Sequence, residues 1–270
     1  MTWVCGLLLV TSNLCYGQAI TQTESKSFFR FEQLGSGIAS AINDVKQFNN
    51  AVLLGSNGVF IRSLDAGKSW IPVLSQLQHK NINAIVTHDS VIVVGTATGG
   101  LYRTTDAGLY WTRFGVEPRL LQVRHLLRTR DGYVATNTNG ACFQRRDTDT
   151  VWQELALPAP CQTLAVFDGK TWMLCENGSI ISADGDKTVV KLNIKQALRA
   201  TMVPMKNFLA VVLDSSVLVL DDDADSVGHW PMPIQDWTIC DNQFDELLVG
   251  GRATGLKRLN IETVVVTSVF

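Results

Sequence analysis

The feature that most constrains this chain is a short turn motif that returns at a fixed interval. Ser63-Leu64-Asp65-Ala66-Gly67-Lys68-Ser69-Trp70 reappears as Thr104-Thr105-Asp106-Ala107-Gly108-Leu109-Tyr110-Trp111, an interval of 41 residues from Asp65 to Asp106. The same interval leads to Arg145-Arg146-Asp147-Thr148-Asp149-Thr150-Val151-Trp152, which keeps Asp and Trp and puts Asp149 in the Gly place. Asp184 begins a weaker copy with Val189 at the Trp position, and Asp225 with Trp230 follows. The last copy, 256–266, keeps the strand pattern but has Ile261 where Asp would stand. A period of this length is the mark of stacked or radial repeat architectures.

Two further rulers run in step with the first. Turn dipeptides sit between apolar runs at Asn49-Asn50, Asp89-Ser90, Asp131-Gly132, Asp168-Gly169, Lys206-Asn207 and Phe244-Asp245. A Gly-, Asn- or Ser-rich turn follows in each repeat, at 55–58, 95–100, 137–140, 176–178, 214–216 and 251–255. Each repeat therefore reads strand, turn, strand, turn, strand, Asp turn, strand. Runs such as Ala51-Val52-Leu53-Leu54 and Val91-Ile92-Val93-Val94 suit strands covered on both faces. Four strands in about 40 residues, repeated six times, predicts an all-β, six-bladed β-propeller of four-stranded antiparallel blades. Phe28-Phe29-Arg30-Phe31 is read as a strand that closes the ring or as the remnant of a seventh blade. The segment from Lys191 to Ala200 is read as a linker between blades.

The turn residues have a local structural cause. A short carboxylate accepts hydrogen bonds from nearby backbone N–H groups, and the following Gly tolerates a left-handed backbone. The Trp carries apolar area into the gap beside the turn. Asp65, Gly67, Trp70, Asp106, Gly108, Trp111, Asp147, Trp152, Asp184, Asp225 and Trp230 are accordingly assigned to the scaffold.

Ser-x-Asp-x-Gly-x-x-Trp resembles the Asp-box, or BNR, repeat, and the likeness covers roughly residues 35–270. The segment 58–70 is most similar to BNR propellers of the sortilin and photosystem II assembly-factor type, and less like a WD40 array. The resemblance admits sialidases, xyloglucan-cleaving hydrolases, sorting receptors and assembly factors, and a fold does not choose among them. A sialidase-like centre would need an Arg cluster, a Tyr with a partner Glu and an acid Asp. The Arg-Ile-Pro start motif is missing, and Tyr102 and Tyr110 flank a turn motif on outer strands. The xyloglucanase type sets two carboxylates across a cleft between two propellers, which one propeller cannot form.

Composition narrows the field further. A net charge of −2 gives no basic field for nucleic acid or anionic membrane. Residues 1–17 are expected to be a secretory signal, with an apolar run from Trp3 to Val10 and small residues before Gln18, although no Lys or Arg precedes the run. Residues 18–34 form an N-terminal segment and 35–270 the propeller. No later stretch has the length of a membrane span. Cys142, Cys161, Cys175 and Cys240 show no Cys-x-x-Cys spacing, so no zinc site is expected. A two-residue turn at Asp168-Gly169 would set Cys161 against residue 176, sending the thiols of Cys161 and Cys175 to opposite faces; free buried thiols are expected rather than a disulfide, and a bulge in the strand would reverse that.

Other motifs lead nowhere chemical. Gly67-Lys68-Ser69 lacks the upstream Gly of a phosphate loop, where Arg62 stands. Asp221, Asp223 and Asp225 have calcium-loop spacing, but Ser226 and Met232 occupy the positions of its Gly and Glu. His79, His88, His125 and His229 have no paired ligand spacing. No cofactor or metal is expected. Asn177-Gly178-Ser179 is a glycosylation sequon in a eukaryotic secretory host.

A site is expected on the face made by the starts of the innermost strands and the second turn of each blade. Asn57, Asn81, Thr98, Arg124, Asn139, Asn177, Arg199 and Arg252, with Asp236 and Trp237, fall there. Arginines, amides and an aromatic suit an acidic peptide or a glycan. The sequence thus predicts an exported, monomeric, non-catalytic protein- or glycan-binding or assembly module, with a glycan-active hydrolase of non-standard centre as the alternative.

Overall fold

The computed structural model describes residues 41–270 apart from 74–75, 116, 183–187, 192–199, 214–215, 222–225, 232–236, 242–245, 252–254, 261–264 and 269–270. The described residues form six four-stranded antiparallel sheets, each built from consecutive strands in chain order. In the first sheet these are Ile42–Phe48, Ala51–Ser56, Phe60–Ser63 and Ile71–Pro72. The first strands of the other five are Ile82–His88, Val123–Arg128, Cys161–Phe167, Ala200–Pro204 and Trp237–Asp241, and each lies beside the first strand of the preceding sheet. The expected signal (1–17), the segment 18–34, Asp184, Asp225 and most of the 191–200 linker lie outside the described residues.

The tight turns follow from their residues. Asn49, Asp89 and Asp168 take left-handed backbones at φ 54, 52 and 48°, a conformation Asn and Asp tolerate. Phe48 then faces Ala51, His88 faces Val91 and Phe167 faces Lys170 across two-residue loops. The third hairpin is wider: Thr129 N–H donates to Gly132 O at 2.9 Å, so Asp131-Gly132 closes a four-residue turn.

Sheet packs on sheet through the second strands. Val91–Thr96 and Gly132–Asn137 are buried almost throughout, as expected for strands covered on both faces. Close approach is enabled by glycine. A Cβ on Gly55 would stand 2.6 Å from Ile82 Cγ2, and one on Gly95 would stand 2.5 Å from Val123 Cγ1. The first residue of each following sheet thus occupies the space that a side chain here would take.

At one end of the sheets, two turns are closed in the same way. Asp65 Oδ1 accepts from Ser63 Oγ at 2.7 Å and from Ser69 N at 2.8 Å, and Ser63 Oγ accepts from Gly67 N at 2.7 Å. Asp106 Oδ1 accepts from Thr104 Oγ1 at 2.6 Å and from the Leu109 and Tyr110 N–H groups at 3.0 Å. Ala66 and Ala107 share the left-handed region with the glycines after them, at φ 59 and 58°.

The third copy differs. Asp147 turns from its own loop to Arg128, whose Nη1 and Nη2 donate to its two oxygens at 2.7 and 2.6 Å. Asp149 holds that loop instead, accepting from Arg146 N at 3.2 Å. The Trp residues bridge sheets. Trp111 packs edge-on against Phe60 of the preceding sheet at 5.6 Å. Trp152 packs on Phe114 of the preceding sheet at 6.0 Å and donates to its carbonyl at 3.0 Å.

The cysteine geometry corrects the sequence expectation. The ladder from Phe167↔Lys170 to Thr163↔Leu174 shifts by one residue before it reaches Cys161↔Cys175. Gln162 is the extra residue, so the two cysteines are direct cross-strand partners on one face. Cys142, Cys161 and Cys175 are all buried and unbonded. The side chain of Cys240 lies outside the described residues.

Candidate binding face

The bulge at Gln162 is one of four at the same place in the repeat. In the first, second, third and fourth sheets, the residue skipped by the ladder is Asn43, Asn83, Arg124 and Gln162. A bulge turns one side chain out of the alternating pattern and increases the local twist. In the first two sheets the released side chain ties neighbouring sheets together. Asn43 Nδ2 donates to Ile82 O at 2.9 Å, and Asn83 Nδ2 donates to Val123 O at 2.7 Å. Arg124 takes the same position in the third sheet. It is exposed, and its side chain makes no hydrogen bond or ion pair with another described residue.

The second turns of the sheets lie at this end. Asn57, Asn81, Thr98, Arg124, Asn139 and Asn177 are all exposed here. Asn57 Oδ1 accepts from Asn43 Nδ2 at 3.1 Å. Asn177 Oδ1 caps its own turn, accepting from Ser179 N at 3.0 Å. Asn139 lines a cavity of about 520 Å³ with Arg119, Gln122 and Thr138. The cavity wall is held by Asn137, whose Oδ1 accepts from Asn139 N at 3.0 Å and whose Nδ2 donates to Arg119 O at 2.8 Å. Thr138 Oγ1 donates to Gln122 Oε1 at 2.8 Å, and Arg119 grips Glu154 with both terminal nitrogens. Arg199, Asp236 and Arg252, and the side chain of Trp237, lie outside the described residues.

Arg119, Gln122, Asn43 and Asn83 were not singled out from the sequence. A signal existed for part of this set. Positions 43, 83, 124 and 162 each carry a polar residue near the apolar start of a first strand, at the repeat interval. Arg119 and Gln122 come from the loop joining the second and third sheets, and Gln122 stands one 41-residue interval after Asn81.

The electrostatics beside Arg124 are those of a buried wall. Burial, and next the Arg124 charge, pull His125 down to about 4, and its Nδ1 sits 3.0 Å from Thr136 Oγ1. His125 is therefore neutral near pH 7. Asp44 is pushed up by burial, partly offset by Lys46 and by the N–H groups of Ile85 and Val45. Among the described residues no three His, Cys, Asp or Glu side chains are grouped to hold a metal ion.

Sheets of four antiparallel strands, joined through their first strands and stapled by repeated Asp turns, define a β-propeller of the BNR-repeat class. The chain belongs to the family described as photosynthesis system II assembly factor YCF48, whose profile matches residues 33–216. It is 33% identical over 150 residues to the photosystem II assembly lipoprotein Ycf48 of Prochlorococcus marinus. That match covers 49% of this chain and 43% of the relative, so the chain spans less than half the length of that curated relative. A solved structure of YCF48 bound to D1 peptide superposes with a TM-score of 0.62 at 18% identity, over 84% of this chain and 80% of that one. YCF48 from Cyanidioschyzon merolae gives a TM-score of 0.65 at 9% identity, over 87% of each chain. At these identities the two structures speak for the fold alone. No helix of the described residues is long and apolar enough to cross a membrane.

Proposed function

We propose that this chain is an exported, non-catalytic assembly factor: a six-bladed propeller closed into a ring, which holds a polypeptide segment of a client protein on the face carrying Arg124. The observation that carries this reading is Arg124, whose side chain has no hydrogen bond or ion pair with another described residue. Asn43 and Asn83 spend their side chains on the next sheet, whereas Arg124 presents an exposed guanidinium at the equivalent place. A guanidinium binds a carboxylate through two parallel hydrogen bonds. The cavity beside Asn139, with the amide of Gln122, supplies donors and acceptors that suit a peptide backbone. Family membership supports an assembly role, and the D1 peptide bound to a structurally similar protein supports a polypeptide as ligand. Export is supported by the apolar N-terminal run and by the lipoprotein relative.

The test is binding of the purified chain to an immobilised library of acidic and neutral peptides drawn from exported and membrane proteins. Preferential capture of acidic peptides, weakened about tenfold or more by Arg124→Ala, is expected from loss of one charge-assisted contact. Capture that ignores peptide charge, or that Arg124→Ala leaves intact, refutes this face as the binding site.

A further inference from the structure

The bulge at Gln162 has a chemical outcome beyond the shape of the face. Cys161 and Cys175 are Cα partners on adjacent antiparallel strands. The hydrogen bonds around them show which kind of pair they form. Cys161 N–H donates away from its partner strand, to Gly140 O at 2.8 Å. Cys175 O accepts from Gly178 N at 2.9 Å, and the next rung is made by Glu176 N to Pro160 O at 2.9 Å. Cys161 and Cys175 therefore exchange no ladder bonds. In such a non-hydrogen-bonded pair the Cα atoms stand about 4.5 Å apart, within the window of about 4.4–6.8 Å that a disulfide spans.

Both side chains leave the sheet on one face. Leu164 and Met173 are cross-strand partners and pack with Val134 and Cys142 of the neighbouring sheet. Cys175 shares the face of Met173 by strand alternation. The extra residue at 162 moves Cys161 onto the face of Leu164, which simple alternation would deny it. Cys142 is the third thiol of this layer, with its Sγ 3.7 Å from Met173 Sδ. It belongs to the facing sheet, where its ladder partners are Thr136 and Leu155, and it is a cross-strand partner of neither Cys161 nor Cys175.

We infer that Cys161 and Cys175 are a disulfide site, joined while the chain folds in an oxidising compartment and sealed in the core afterwards. The oxidant is a small-molecule or protein disulfide. The thiolate of one cysteine attacks it to give a mixed disulfide and releases one thiol; the thiolate of the other then displaces the second thiol. Two electrons pass to the donor disulfide, and the two cysteine protons leave with its two thiols. The exchange must precede burial. In the folded protein both thiols are buried, and desolvation raises both above the ordinary thiol value, so little thiolate is present to react.

The experiment refolds the reduced, urea-unfolded full chain with glutathione disulfide, blocks free thiols and maps linked peptides by mass spectrometry. One internal link between the peptides of Cys161 and Cys175 is expected, with a higher Tm than the reduced protein. Reduction by glutathione should be at least tenfold slower in the folded protein than in urea. Cys142→Ser should leave the link in place, and Cys161→Ser should abolish it. Because the readout is a peptide mass, a poorly folding variant is still informative. A dominant link to Cys142 or Cys240, glutathione adducts without an internal link, or a lower Tm on oxidation overturns the assignment.

Discussion

The carboxylate of Asp44, on the first strand of the first sheet, accepts the backbone N–H of Ile85, on the first strand of the second, at 2.7 Å. It also accepts from Val45 N at 2.8 Å and lies 3.4 Å from Lys46 Nζ. One side chain thus satisfies a backbone donor of the adjacent sheet. Asp44→Ala leaves that donor buried without a partner and should cost about 1–3 kcal/mol in urea denaturation. Asp44→Asn keeps one acceptor oxygen and should cost less. The folded state holds the Asp44 proton more tightly than the unfolded chain, because burial raises it above 3.8. Its contribution is greatest below pH 3.8 and is lost as the pH rises through the raised value. Equal loss in Ala and Asn would show that the bond to Ile85 is not the cause.

Gly95 is held by contact and not by backbone angle. A Cβ there would sit 2.5 Å from Val123 Cγ1 and 3.0 Å from Val123 Cβ, so the second and third sheets would have to separate. Gly95→Ala should destabilise by about 1–3 kcal/mol, the usual cost of overpacking. Gly95→Ala with Val123→Ala should recover part of that loss, which thermal unfolding of the single and double variants will measure.

His125 gives the protein an acid-side weakness. Its folded value of about 4 lies below the ordinary 6.5, so the folded state resists protonation. The stability this neutral ring permits is full above pH 6.5 and is lost as the pH falls through about 4. The loss attributable to this residue is about 3 kcal/mol. Urea midpoints from pH 7 to 4 should fall less steeply in His125→Gln, and parallel slopes would exclude His125 as the source.

Asp65 should titrate as an unusually strong acid, near 2, chiefly because Ser69 donates both its hydroxyl and its backbone N–H to the carboxylate. Ser69→Ala removes the hydroxyl and should move the Asp65 midpoint upward toward 3.8. The carboxyl carbon shift followed by NMR checks this directly. The turn contributes stability above pH 3.8 that is lost as the pH falls through about 2. An unchanged midpoint in the variant would assign the shift to other donors.

Much of this architecture is local and was therefore legible. The period from Asp65 to Asp106 marks two turns closed alike, and the Asn49, Asp89 and Asp168 turns announce their hairpins through residues that accept a left-handed backbone. Of the proposed face, the exposed second-turn residues Asn57, Thr98, Asn139 and Asn177 follow from position in the repeat. Asp147 shows where the pattern stops carrying information. Its spacing matches Asp106, but its carboxylate is claimed by Arg128, a residue nineteen positions earlier on another strand. No turn motif contains that competitor.

The order of strands, their turns and their burial on both faces were set by the sequence alone, because each depends on residues within a few positions of one another. The tertiary structure decided the rest: the bulges at Asn43, Asn83, Arg124 and Gln162, the bond from Asp44 to Ile85, and the pairing of Cys161 with Cys175. A single extra residue in a strand exchanges the faces of every side chain before it. Whether that residue is expelled depends on the sheet packed against it, which no stretch of about forty residues encodes by itself.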